Sequence, residues 1–166
     1  MTKTPSLTSV LTTPPLTSTT SEPVFWTEIC IERGRDLSVK DLNGTSDPYV
    51  KVYYGIEEKY TTNIVTKNLN PIWNERFSLF TDDLNIPIYF YLFDRDRIGR
   101  DEAMGTAKLD LWRLPLDRPY PATLDLENER RSDGKTGTLK IVVTIAPKPV
   151  EFRDEVKFEE EKKNDL

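Results

Sequence analysis

The sequence has no histidine and a single cysteine among its 166 residues. Without imidazole, the commonest general base and the commonest zinc or copper ligand are both missing. No nucleophile with a paired base is visible either, so the chain reads as a non-enzyme. Cys30 has no internal partner for a disulfide, which fits a reducing compartment, and its apolar neighbourhood predicts that it fills core space. No apolar run approaches the roughly 18 residues needed to cross a bilayer. The N-terminus has Lys3 but no apolar block behind it, so no secretory signal is expected. These absences predict a cytoplasmic protein whose membrane contact is peripheral. A basic excess is lacking too: 23 Lys and Arg stand against 28 Asp and Glu, for a net charge of −5. That speaks against a nucleic-acid partner, and against adhesion to an anionic membrane unless a cation changes the charge locally.

What is present falls into three stretches. Residues 1–22 are mostly Thr, Ser and Pro and cannot bury enough apolar surface to offset their ordering entropy, so a disordered tail is expected there. Residues 149–166, set off by Pro147 and Pro149, are rich in Glu and Lys and read as a solvated charged tail. Between them, residues 23–148 read as one folded domain. Short apolar or alternating runs occupy 25–32, 49–54, 59–66, 77–80, 88–93, 107–111, 122–126 and 138–146, separated by Asn, Gly, Pro and Asp. Eight such runs without sustained helical periodicity predict an all-β, eight-stranded antiparallel sandwich.

Acidic residues gather at two places where strands should end. One is Lys40-Asp41-Leu42-Asn43-Gly44-Thr45-Ser46-Asp47-Pro48-Tyr49, the other Phe93-Asp94-Arg95-Asp96-Arg97-Ile98-Gly99-Arg100-Asp101-Glu102. Carboxylates this close repel one another unless a cation neutralises them. Oxygen ligands in loops, with no histidine or cysteine among them, suit Ca²⁺ better than zinc or copper. Asp47-Pro48 alone is an ordinary turn pair, and Asp94 and Asp96 alone could be solvated strand ends.

The segments Gly44-Thr45-Ser46-Asp47-Pro48-Tyr49-Val50-Lys51, Asn68-Leu69-Asn70-Pro71-Ile72-Trp73-Asn74-Glu75 and Phe93-Asp94-Arg95-Asp96-Arg97 occur in that order. Together they resemble a C2 domain, and most resemble the C2 modules of multiple-C2 and transmembrane-region proteins. The resemblance covers nearly all of the expected folded part and implies the type II strand order. It implies Ca²⁺ as cofactor, with side-chain ligands Asp41, Asp47, Asp94, Asp96 and Glu102 and backbone carbonyls of Lys40, Arg95 and Arg100. Glu102 stands where family members usually have Asp, so Asp101 is the neighbouring candidate. Leu42 and Ile98 match positions that insert into lipid, flanked by Arg97 and Arg100. The implied function is Ca²⁺-dependent binding of anionic phospholipid, which recruits the protein to membranes. The alternative is a scaffold or adaptor module with protein partners and weak or no Ca²⁺ dependence. Trp26, Tyr49, Trp73 and Phe90 are expected in the core, and Asn70 and Asn74 on loop backbone. Lys51, Lys59 and Lys67, with Glu57 and Glu58 among them, are expected to form a mixed, solvated face.

Overall fold

A computed structural model describes residues 24–38, 46–128 and 135–148. The strands are β1 (Phe25–Arg35), β2 (Pro48–Tyr54), β3 (Glu57–Thr61), β4 (Ile72–Thr81), β5 (Ile88–Asp94), β6 (Glu102–Leu109), β7 (Tyr120–Glu127) and β8 (Lys135–Pro147). The helical content of the described residues is one 3₁₀ turn, Leu111–Arg113. The strands pair antiparallel in the order β3-β2-β5-β6-β7-β8-β1-β4. Since β6 and β7 meet at one residue pair, Thr106 with Glu127, the order folds there into two four-stranded layers. The first acidic stretch follows the first strand, and β8 closes the chain beside β1, the type II order.

Alternation builds each layer's inner face. Along β1, Phe25, Thr27, Ile29 and Ile31 are buried, and along β8 so are Leu139, Ile141, Val143 and Ile145. From the opposite layer come Val50, Val52, Ile88, Phe90, Leu92 and Met104, all fully buried. Each such aliphatic or aromatic side chain contributes about 1.5–3 kcal/mol by leaving water. Thr27 survives inside because its hydroxyl pairs with that of Thr81 at 2.9 Å. At the β3 and β4 edges the layers are joined by side chains. Tyr60 stacks on Phe77 with centroids 4.1 Å apart, the Tyr60 hydroxyl donates to Glu75 Oε2 (2.8 Å), and the Trp73 indole N–H donates to the Asn63 carbonyl (3.0 Å).

Several expectations are corrected. Cys30 is not core; counting by twos from Phe25 sends Trp26, Glu28 and Cys30 to the outer face, where Cys30 is half-buried and desolvation raises its thiol pKa. Trp26 is 44% exposed and packs edge-on against Phe80. β3 stops at Thr61, not 66. Beyond it the Thr62 hydroxyl takes the Val50 N–H (2.9 Å), and the chain follows β2 only through Thr62 N–H to Val50 O and Val65 N–H to Pro48 O. β4 begins at Ile72, earlier than expected, and takes a left-handed residue at Asn74 (φ 49) beside its register shift with β1, a conformation Asn tolerates well. β6 begins at Glu102 rather than Ala107, and Leu111 belongs to the 3₁₀ turn. Both expected tails lie outside the described residues.

The pairing fixes two ends. The β1–β2, β3–β4 and β5–β6 connections share one. The opposite end holds the β2–β3 turn, the β4–β5 and β6–β7 connections, and the points where the chain enters and leaves, tied by Lys148 N–H to Val24 O (2.8 Å).

Candidate functional site

The acidic stretches converge at the first end. Pro48, at the start of β2, is the register partner of Asp94, at the end of β5. The Asp47 N–H donates to Asp94 Oδ1 (2.7 Å), the Asp47 carbonyl accepts the Arg95 N–H (3.1 Å), and Asp47 Oδ1 accepts the Lys67 N–H (2.7 Å). Asp47 thus ties all three connections together. The β3–β4 connection is anchored further by Asn68 N–H to Ser46 O (2.9 Å), Leu37 N–H to Leu69 O (3.0 Å) and Asp36 N–H to Asn70 Oδ1 (3.0 Å). Asn70 therefore holds loop backbone, as expected, whereas Asn74 serves the bend of β4.

The β5–β6 connection organises itself through its own carboxylates. Asp96 Oδ1 accepts the Ile98 N–H (2.9 Å). This bond, and then one from the Gly99 N–H, holds the Asp96 carboxyl below its ordinary pKa. A Cβ on Gly99 would stand 2.6 Å from Asp96 Oδ2, so a larger residue there would push the Asp96 carboxylate aside. Asp101 Oδ1 accepts the Asp96 N–H (3.0 Å), and its Oδ2 accepts the Tyr49 hydroxyl (2.5 Å). Burial first, and the bond to Asp101 second, push the Tyr49 phenol well above its usual pKa. Glu102 is exposed and is the register partner of Asp94. Directly opposed residues share a sheet face, so Glu102 belongs to the Asp94 side and Asp101 to the Tyr49 side.

Asp94 is 4% exposed, and its Oδ2 has no hydrogen-bond partner among the described residues. The same holds for Ser38 Oγ, just before the first acidic stretch. A buried carboxylate oxygen without a donor is costly, and a hard cation is one group that satisfies it. The residues present therefore fit Ca²⁺ at the Asp47–Asp94 junction. Among the described residues no three acidic, cysteine or histidine side chains group closely enough to hold a metal. Lys40, Asp41 and Leu42 lie outside the described residues.

The structure thus brings Asp47 to Asp94 directly, Glu102 to Asp94 by register, and Asp96 to Asp101 through its N–H. Arg95, Arg97 and Arg100 are exposed, with Arg95 Nε 3.8 Å from Asp101, and Ile98 is 99% exposed. Trp73, Tyr49 and Phe90 are buried as expected. Lys51 pairs with Glu58 at 3.3 Å and Lys59 with Glu57, the mixed face anticipated; Lys67 sits apart, on the loop. Sequence reasoning places Tyr49 in the core and misses its second part, the bond to Asp101. The signal is available: a tyrosine buried beside an acidic loop needs an acceptor for its hydroxyl.

Comparison with known proteins bears on this geometry. The C2 domain family matches residues 27–126. The human multiple C2 and transmembrane domain-containing protein 1 is 40% identical over 131 residues, 79% of this chain and 13% of that protein. The chain therefore spans about an eighth of the length of that relative. A C2 domain of plant extended synaptotagmin 1 superposes with a TM-score of 0.69 at 31% identity, covering 76% of this chain and 98% of that domain. A calcium-bound structure of two C2 domains of extended synaptotagmin 2 superposes at 0.61 with 23% identity, over 75% of this chain and 46% of that one, a likeness of fold.

Proposed function

The chain belongs to the C2 domain family, and from that premise we propose that residues 23–148 form a Ca²⁺-dependent module for anionic phospholipid, one that works as a binding rather than a catalytic unit. The observation that carries this reading is the buried, unpartnered Oδ2 of Asp94 beside Asp47. Bound Ca²⁺ would supply positive charge and open coordination positions for lipid phosphate oxygens. Asp94 and Asp47 are its floor, with Asp41, Asp96 and Glu102 as further ligands and the carbonyls of Lys40, Arg95 and Arg100 completing the set. Asp101 is assigned to the loop rather than the ion, because both of its oxygens already accept hydrogen bonds. Arg97 and Arg100 attract an anionic surface, each worth about 1 kcal/mol there, and Leu42 and Ile98 bury apolar area in it. Without the cation, the same carboxylates repel the membrane. The protein is accordingly cytoplasmic and peripheral on membranes when Ca²⁺ is bound.

Sedimentation with phosphatidylserine-containing vesicles tests this. Binding is expected in Ca²⁺, release in chelator, and loss of the Ca²⁺ response in the Asp94→Asn, Asp96→Asn double variant. Equal binding with and without Ca²⁺ removes the switch. The alternative, a protein-interaction module, draws on the absence of a three-carboxylate group among the described residues. It requires a protein partner that the double variant still binds.

A further inference from the structure

The Thr/Ser/Pro segment at the N-terminus has no part in the metal reading, and neither does an apolar track on the far side of the molecule. The track begins where the chain enters the fold. Phe80 is the register partner of Trp26, packs against it at 4.6 Å, and carries Lys148 Nζ 4.7 Å above its ring. From Phe80 a cavity of about 560 Å³ runs past Ile86 to the β2–β3 turn. A second groove, of about 400 Å³, leaves the same turn along the outer face of β2 and β5, lined by Tyr53, Tyr91 and Phe93. The two share Gly55 and Ile56, so they form one path. Ile56, at its middle, is 95% exposed. Tyr53 and Tyr91 stand edge to face at 5.3 Å, and Tyr89 stacks beside Tyr91 at 6.1 Å, an aromatic ridge on a sheet face that no described segment covers.

Most charges along the path are paired. Lys59 pairs with Glu57 and Lys51 with Glu58, and the carboxylate of Asp82 is solvated in part by the Tyr54 hydroxyl. An uncharged occupant suits such a surface, because a charged one would lose solvation without gaining a counter-ion. Aromatic-lined grooves receive extended proline-containing peptides, whose polyproline conformation is set in advance and so loses little entropy on docking. This chain carries such a peptide. Residues 1–21 contain Pro5, Pro14 and Pro15 and one charged side chain, Lys3. The C-terminal segment also leaves at this end, but it is dense in Glu and Lys.

Reach agrees with this choice. Eight residues lie between Pro15 and Val24, and in polyproline form the nine steps span about 28 Å at about 3.1 Å each. The legs that layer spacing and register fix, about 10 Å between layers and about 13 Å along β2 from Gly55 to Lys51, the partner of Tyr91, fit within that span.

We propose that residues 12–16 of this chain, Thr-Thr-Pro-Pro-Leu, dock in extended form on the aromatic part of the track, against Ile56, Tyr53 and Tyr91 on the outer face of the β2–β5 layer. Docking of this kind needs no metal, so it stands or falls separately from the Ca²⁺ site.

A spin label tests it in the full chain. The label is attached at Thr17→Cys in a Cys30→Ser background, and amide signal intensities are read by NMR. The expected result is intensity loss centred on Ile56, Tyr53 and Tyr91. That loss should persist on dilution and disappear when Pro14→Ala and Pro15→Ala are added; these substitutions lie outside the folded core. Loss that fades on dilution makes the occupant a second copy and overturns the proposal. So does uniform broadening, or loss at the same residues only when the label is moved to Asn164→Cys.

Discussion

At the scale of single residues, the adjacent acids Asp101 and Glu102 stand in different surroundings. Both oxygens of Asp101 are engaged, by the Tyr49 hydroxyl and the Asp96 N–H, whereas Glu102 is exposed on the face of Asp94. An acid whose acceptors are already used by the fold stabilises the metal-free protein; an acid kept free contributes only when the cation arrives. Tyr49→Phe removes one donor from Asp101 and should lower metal-free stability by about 1 kcal/mol, the usual worth of such a bond, while weakening Ca²⁺ binding less than about tenfold, or 1.4 kcal/mol. Glu102→Gln should do the reverse, leaving the metal-free unfolding midpoint in place and weakening Ca²⁺ by more than that factor. Calorimetric Ca²⁺ titration beside urea unfolding reads both quantities. If Asp101→Asn abolishes Ca²⁺ binding with no change in metal-free stability, the roles are exchanged.

At the scale of elements, the end of β2 is fastened to the β4–β5 connection by one side chain. The Tyr54 hydroxyl donates toward Asp82 Oδ1 and the Asp83 carbonyl (both 2.8 Å) and accepts the Asp83 N–H (3.0 Å). Burial, and then the bond to Asp82, push its pKa up from 10.0 to about 12. In the unfolded chain the phenol ionises first, so the unfolded state loses its proton at lower pH than the folded one. The stability from this contact is therefore complete below pH 10 and declines as pH rises toward about 12. Urea unfolding midpoints should fall between pH 9 and 11, and fall less steeply in Tyr54→Phe, which begins from a lower value at pH 9. Parallel slopes in the two proteins would contradict the assignment.

The strands are largely legible in the sequence because alternation reports a half-buried sheet directly: β2 and β5 are recovered to within a residue at each end, and β1 and β8 to within three. What alternation does not carry is where pairing stops. β3 ends at Thr61 because the Thr62 hydroxyl competes for the Val50 N–H, a tertiary event invisible in composition. β4 starts early because a left-handed Asn74 lets it bend rather than break. Gly137, with φ 99, has the Arg35 carbonyl where a Cβ would stand, a constraint that appears only once β8 lies against β1. Cys30 lies outside the core because parity within the strand outweighs the apolar character of its neighbours. In the site, spacing and resemblance locate the acidic residues. They do not reach the burial of Asp94 or the different surroundings of Asp101 and Glu102, since both follow from cross-strand register.

At the scale of the whole molecule, the two ends of the sandwich differ in chemistry. One gathers carboxylates, arginines and the fully exposed Ile98; the other holds both chain exits, the exposed Trp112 with Arg113 stacked over it at 4.7 Å, and the apolar track. With a net charge of −5, the molecule as a whole is repelled by an anionic surface, and the acidic end most of all while it is free of cation. On the proposed function, loading that end alone would create a preferred orientation, with the exits pointing away from the membrane. Orientation can be read by substitution, because only residues on the docked side leave water. Burying the Ile98 side chain contributes about 1.5–3 kcal/mol, so Ile98→Ala should weaken vesicle binding in Ca²⁺ by more than tenfold. Trp112→Ala, 56% exposed at the opposite end, removes a larger apolar group and should leave that affinity unchanged. Titration with anionic vesicles in saturating Ca²⁺ gives both values, and raising the salt should lower them together as the arginine attraction is screened. The opposite ranking, with Trp112→Ala the damaging change, would mean that the molecule meets the membrane by its tail-bearing end and that the acidic loops face solvent.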